Sequence, residues 1–269
     1  MSEERVSITI TDGIADVRMT RADKRNALDG PMFEALAAAG ERLKTEPGVR
    51  VAVLSGEGSS FCAGLDFATM SALAGDRPES GGNPGSMKEG RITHLGQQVC
   101  WVWQEVPVPV IAAVHGHAIG GGIQVALGAD IRIVHPDTQM SVREIHWGLV
   151  PDMAGTMLLS QLVRADVAKE LVLTARMFDG REAFAMGIAT KLSETPYDDA
   201  MVMAREIAGR SPDAVRAGKA LLNGLFNQGA AQQFAAEREA IGSLIGRANQ
   251  KEAVMANFEK RAPNFVNPT

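Results

Sequence analysis

Three consecutive glycines, Gly120, Gly121 and Gly122, stand directly before an apolar run whose first polar residue is Gln124, in IGGGIQVALGAD from Ile119 to Asp130. Glycine admits backbone geometries closed to other residues and lets a ligand approach the N–H groups closely. A helix starting there adds the positive end of its dipole, which favours an oxyanion or phosphate. A second stretch repeats the design. EGSSFCAGLDF, Glu57 to Phe67, follows the strand-like VRVAVLSG, and a glycine-containing turn at a strand end leaves N–H groups free to grip a developing negative charge. Neither stretch fits GxGxxG or GxxxxGK(S/T), so nucleotide-binding loops of those types are disfavoured.

The elements that must position these turns read as a mixed α/β chain. VSITI and IADVRM flank Thr11-Asp12-Gly13 and predict a β-hairpin. MFEALAAAGERLKTE follows Pro31 and predicts a helix. VRVAVLSG, VPVIAAVHG, IRIVHP and the end of GIATKL predict buried strands. Between the second glycine turn and VPVIAAVHG, residues 74–91 are rich in Gly, Pro and charge and predict a surface loop. Beyond about residue 196 the composition is helical throughout, with apolar stripes suited to core or subunit packing. The expected division is therefore a core over 1–195 and a helical region over 196–269.

Composition narrows the function classes. The chain has 269 residues, a net charge of −5 and no long basic run, which argues against a general nucleic-acid binder. No apolar run is long enough to span a bilayer, and MSEERVSITI lacks a secretory layout, so a cytoplasmic protein with no membrane partner is expected. Cys62 and Cys100 form no disulfide framework or zinc spacing, and the five histidines form no HExxH cluster, so no metal is expected.

Five segments in this order, RADKRNALDG, SGEGSSFCAGLDF, VIAAVHGHAIGGGIQVALGADIRI, SVREIHWGLVPDMAGT and FEKRAPNF, give the chain a resemblance to the crotonase (enoyl-CoA hydratase/isomerase) superfamily over nearly its whole length. Ala22 departs from it, since many relatives have Pro after the Arg. The resemblance implies a spiral of ββα units followed by helices that pack homotrimers, commonly stacked in pairs. It implies an acyl-CoA substrate, with CoA as part of that substrate and no separate cofactor. It places the backbone N–H groups of Leu65 and Gly121 on the thioester oxygen, and the CoA nucleotide near Lys24, Arg25, Ala27, Ala63 and Asp66, with Lys260 reaching phosphate. Proton removal beside a thioester carbonyl puts charge on that oxygen, and one fixed donor is typically worth about 3 to 4 kcal/mol in the transition state.

The resemblance also puts a catalytic glutamate at Glu144, followed eight residues later by Asp152. A glutamate desolvated by an acyl chain becomes a proton shuttle near neutral pH; the structural alternatives are a salt bridge from Glu144 to Arg143 and a helix N-cap at Asp152. Hydratases of the family resemble one another in a second glutamate where this chain has Gln124, and an amide neither gives nor takes a proton at neutral pH. The acid placement is closest to the dienoyl-CoA isomerases, which pass protons between a Glu and an Asp in a GLxxD context, here GLVPD. The expectation is double-bond isomerisation by Glu144 and Asp152. Hydration with Gln124 only orienting, and acyl-CoA binding without catalysis, stand as the alternatives. His117, His146 and Trp147 read as packed core or pocket rim.

Overall fold

The computed structural model describes residues 4–74, 87, 90–210, 212–224 and 230–261. The N-terminal hairpin pairs β1 (Val6–Thr11) with β2 (Ile14–Met19) across the expected two-residue turn, Thr11 opposite Ile14. Asp29 caps α1 (Gly30–Thr45), its carboxylate accepting Met32 N–H at 2.9 Å with Pro31 in the first turn. The chain continues through β3 (Val51–Gly56), α2 (Phe67–Ala74), α3 (Leu95–Glu105), β4 (Val110–Val114), β5 (His117–Ile119), α4 (Gly121–Gly128), β6 (Ile131–Val134) and β7 (Gln139–Ser141). After a 3-10 turn at Glu144–Trp147 come α5 (Gly155–Ser160), α6 (Ala165–Thr174), α7 (Gly180–Met186), β8 (Lys191–Leu192), α8 (Pro196–Ala208), α9 (Pro212–Gly224), α10 (Ala230–Leu244) and α11 (Ala248–Phe258). Most of the 74–91 stretch lies outside the described residues.

One sheet runs β1-β2-β3-β4-β6-β8, parallel after the hairpin. Its two faces explain why VRVAVLSG is apolar without alternation. Val51 and Val53 meet Ala200, Ala204 and Ala208 of α8 on one side, while Ala52 and Leu54 join the main core with α1 and α3 on the other. Alanines four residues apart make α8 a flat lid on the strands.

A small second sheet aligns the site. β5 and β7 pair in parallel, Ile119 opposite Ser141, and Cys62 bridges to Ala118. Both glycine turns and the segment leading to Glu144 are thereby held together.

Among the C-terminal helices, α9 attaches through polar contacts. Lys219 of α9 is buried; its Nζ lies 2.7 Å from Asp130 Oδ2 and donates to the carbonyls of Trp103 and Val108. Arg216 and Asn223 donate to Val49 O and Gln104 O. α11 packs on α2 and on the 144–147 turn through Val254, Met70, Leu149 and partly buried Trp147.

Candidate active site

Leu65 and Gly121, the residues expected to hold the thioester oxygen, stand on two neighbouring turns. Leu28 N–H donates to Gly64 O and Asp66 N–H to Leu28 O, which fixes the strand-like crossing of residues 28 and 65 and turns Leu65 N–H the other way. Gly120 N–H donates to Ser141 O and Gln124 N–H to Gly120 O, so Gly121 is the first N–H of α4 left over. Neither Leu65 N–H nor Gly121 N–H has a backbone acceptor among the described residues.

Two glycines make this approach feasible. Gly64 has φ +93°, and a Cβ there would lie 2.5 Å from Ile119 O and 3.8 Å from Gly121 N. The two donor turns are therefore in backbone contact. Gly120 has φ +55°, and a Cβ there would lie 3.4 Å from Glu144 Oε1, so the glycine triplet also brings the acid up to the donors.

Glu144 begins the 3-10 turn directly after the Ser141 register. The residue as a whole is partly exposed, but its carboxylate is not: Oε2 is buried and has no hydrogen-bond partner among the described residues. Among the described residues no ion pair joins Arg143 to it, and Arg143 Nη1 donates to Ala175 O at 2.7 Å. Burial pushes the Glu144 carboxyl up to about 7, and hydrogen bonds from its own backbone and from Gln124 offset this only in part.

Gln124, fully buried on α4, explains the other oxygen. Its Oε1 accepts the N–H groups of Met153 at 3.0 Å and Gly155 at 2.9 Å. That fixes the amide orientation without ambiguity, so Nε2 faces Glu144 and donates to Oε1 at 2.6 Å. The sequence carries no signal for Met153 and Gly155 as holders of this amide. Gly155 leaves room for it, since a Cβ there would lie 2.3 Å from Gln124 Oε1. Asp152, half-buried, immediately precedes Met153 in the segment that Gln124 holds.

This geometry makes Gln124→Glu a mild change structurally and a large one chemically. A glutamate keeps an acceptor for the two backbone N–H groups but replaces the donor with a second carboxylate against Glu144. Two carboxyls in contact share one proton, so their apparent pKa values split, one falling and one rising. In the pH dependence of kcat/KM, the single rise near 7 is expected to become two steps, the upper one shifted upward by at least about one pH unit. An unchanged profile would mean that Gln124 does not contact the working acid.

The rim gathers most of the residues expected near CoA. Arg25 and Asn26 are both left-handed, with φ 50° and 55°, and Asn26 Nδ2 ties this turn to the carbonyls of Glu57 and Ser60. Ala63 N–H donates to Arg25 O, Ala27 N–H to Lys24 O, and Lys24 and Arg25 are exposed beside them. The Asp66 carboxylate is taken by Arg21 at 2.7 Å and by Ala68 N–H at 2.9 Å. Burial alone would raise the Asp66 carboxyl, but these bonds outweigh it and hold it below its ordinary value. Arg21 was silent in the sequence. Phe258 at the end of α11 packs near Phe67, their ring centroids 6.2 Å apart, and Lys260, two residues on, is exposed. His117 is bonded to Ser60 at 2.9 Å, and His146 contacts Asn257 and Trp147, as expected for rim and packing residues. Among the described residues no His, Cys, Asp and Glu cluster could hold a metal, and no helix is long and apolar enough to cross a membrane.

Comparison with known proteins bears on this arrangement. The family described as Enoyl-CoA hydratase/isomerase matches residues 9–268. A probable enoyl-CoA hydratase of Mycobacterium leprae is 31% identical over 97% of this chain and 98% of its own. A crotonyl-CoA hydratase of Syntrophomonas wolfei is 30% identical over 99% of each chain. The crystal structure of an enoyl-CoA hydratase/isomerase from Pseudoalteromonas atlantica T6c superposes with a TM-score of 0.85 at 27% identity, covering 97% of this chain and 100% of that one. The matched span encloses both glycine turns, Gln124 and Glu144, and by fold and sequence together the chain belongs to the enoyl-CoA hydratase/isomerase family.

Proposed function

We propose that this protein isomerises a double bond of an unsaturated acyl-CoA thioester by proton transfer. The observation that carries the reading is Gln124: the buried carboxyl of Glu144 is partnered by an amide, so the acid pair that would hold and activate a water is missing one member. Glu144 Oε2 removes a proton from the carbon next to the thioester carbonyl. The electron pair delocalises onto the thioester oxygen, held by the Leu65 and Gly121 N–H groups. Asp152 returns a proton at the far end of the conjugated system, and the double bonds move toward the thioester. Glu144 ends protonated and Asp152 ionised, and exchange with solvent resets both.

The reading asks for no metal or separate cofactor, because CoA is part of the substrate. CoA is held along the rim of Lys24, Arg25, Ala27, Ala63 and Asp66, with Lys260 toward the phosphates. It extends to a cytoplasmic homotrimer, or a pair of trimers, in which the exposed Leu221 and Leu222 of α9 are covered.

A second reading, addition of water to a 2-enoyl-CoA with Gln124 only orienting, is favoured by the names of the relatives. Purified protein offered crotonyl-CoA and a 3,5-dienoyl-CoA separates the two. The dienoyl thioester is expected to turn over at least about 100-fold faster than crotonyl-CoA is hydrated, a typical size for one acid-base contribution. The reverse ratio would establish hydration. Turnover of neither, with acyl-CoA still raising Tm, would leave a binder without chemistry.

A further inference from the structure

Asn26 lies wholly inside the protein, in the left-handed backbone region with φ 55°. Asparagine tolerates that region better than most residues, but its amide is costly to bury unless it finds partners. Nδ2 finds two, donating to Glu57 O at 3.0 Å and to Ser60 O at 2.8 Å. Both are carbonyl oxygens, which can only accept, so the orientation of the amide is settled. Oδ1 is buried without a hydrogen-bond partner among the described residues, so the side chain serves by its donors alone. The neighbouring strand end makes room for it: a Cβ on Gly56 would lie 2.6 Å from Asn26 Nδ2 and 2.6 Å from Ser60 O.

The stretch that this amide grips joins the two donor turns. On one side, Cys62 Sγ donates to Asn26 O at 3.1 Å, Ala63 N–H to Arg25 O at 2.9 Å and Leu28 N–H to Gly64 O at 2.8 Å, a run of bonds that ends beside Leu65. On the other, Phe61 N–H donates to His115 O, Cys62 N–H to His117 O and Ile119 N–H to Cys62 O, a run that ends two residues short of Gly121. Residues 60–64 therefore belong to both runs. Apart from that of the Cys62 thiol, these are backbone bonds, indifferent to residue type. A buried side-chain amide bonded at both Glu57 and Ser60 adds what they lack, because a satisfied buried polar contact rigidifies its surroundings and selects one arrangement.

We infer that Asn26 is a positioning residue for the oxyanion pair: its amide sets the place of Leu65 N–H relative to Gly121 N–H, and with it the polarisation of the thioester carbonyl, without touching the substrate. The inference rests on the proposed assignment of those two N–H groups to the thioester oxygen.

The test uses Asn26→Gly, which keeps the left-handed backbone without strain and removes the amide. It measures kcat with the unsaturated acyl-CoA that the native protein turns over, the Kd of a saturated acyl-CoA, and the infrared stretch of the isotope-labelled thioester carbonyl of that bound ligand. Two aimed donors lower the stretch in the native complex. In the variant kcat is expected to fall by about 10²-fold, the cost of a misplacement of about 1 Å. At least about half of the carbonyl shift should be lost, as when one of two donors moves off, while Kd changes by less than about fivefold. Asn26→Asp has the same shape, is equally tolerant of the left-handed region and also lacks the N–H donors, so it carries the same expectation if the glycine variant does not fold. A loss of stability alone, with native kcat and a native carbonyl shift in the folded variant, would overturn the role. So would a weakened Kd with both retained, which would mean that Asn26 holds the CoA rim instead. The infrared reading needs no turnover and applies whether the reaction is isomerisation or hydration. A native complex whose carbonyl shows no shift would sink the oxyanion assignment and the role of Asn26 together, whereas a native shift kept in full by both variants would sink the role alone.

Discussion

Glu144→Gln is expected to lower kcat by about 10³-fold or more while changing the Kd of a saturated acyl-CoA by less than about threefold. General acid-base groups typically contribute 10²- to 10⁴-fold, and Glu144 is the carboxylate that Gln124 Nε2 contacts at 2.6 Å. The amide is close to the carboxyl in shape and can accept the Gln124 Nε2 bond, so binding and fold should persist. The native pH profile adds a second reading. Glu144 works as a base only when ionised, so kcat/KM should rise with pH through about 7.

The same burial acts on stability with a definite sign. The ordinary carboxyl value of 4.5 is raised to about 7 in the folded protein, so between those values the folded state holds a proton that the unfolded chain has lost. The Glu144 contribution to stability is therefore greatest at the acid end and falls as pH rises through that window, by about 3 kcal/mol in all. The variant carries no such group, so denaturant titrations of the two proteins should converge below about pH 4.5, separate in the variant's favour between there and pH 7, and keep a constant gap above it. Retained turnover, or a stability difference independent of pH, would remove Glu144 from the mechanism.

What the sequence made legible here was local. The strand runs, the hairpin turn, the helix after Pro31 and the two glycine turns follow from residue type and spacing over a few positions, and the structure has each of them. The state of the acid was not legible. It depends on Gln124 being clamped by backbone N–H groups 29 and 31 residues away, and on burial that only the assembled turns create. Arg21 at Asp66 lies 45 residues off for the same reason. The inner face of α9 was not legible either: Arg216, Lys219 and Asn223 face inward onto backbone carbonyls at the ends of core elements, while Leu221 and Leu222 are exposed. Amphipathicity reads side chains alone, and those acceptors belong to the main chain.

Gly64→Ala is expected to cost about 10²- to 10³-fold in kcat, the range found when one oxyanion donor is lost. Two effects act at this position. An alanine at φ +93° is strained by roughly 1–2 kcal/mol, and its Cβ would lie 2.5 Å from the Ile119 carbonyl, a backbone atom that cannot rotate away. Relief requires the 63–66 turn or the 118–121 turn to move. Leu65 N–H follows directly after the substituted residue and Gly121 N–H lies two residues past Ile119, so either movement carries a donor away from the thioester oxygen. Hydrogen bonds weaken steeply with misalignment, which turns a small displacement into a large loss of rate. Gly48→Ala isolates the strain: Gly48 has φ +78° with nothing within 4 Å of its Cβ position. That variant should lose stability comparably through strain alone and keep native kcat. If Gly64→Ala, folded at the assay temperature by circular dichroism, turns over within about threefold of the native rate, the paired N–H groups do not hold the reacting oxygen.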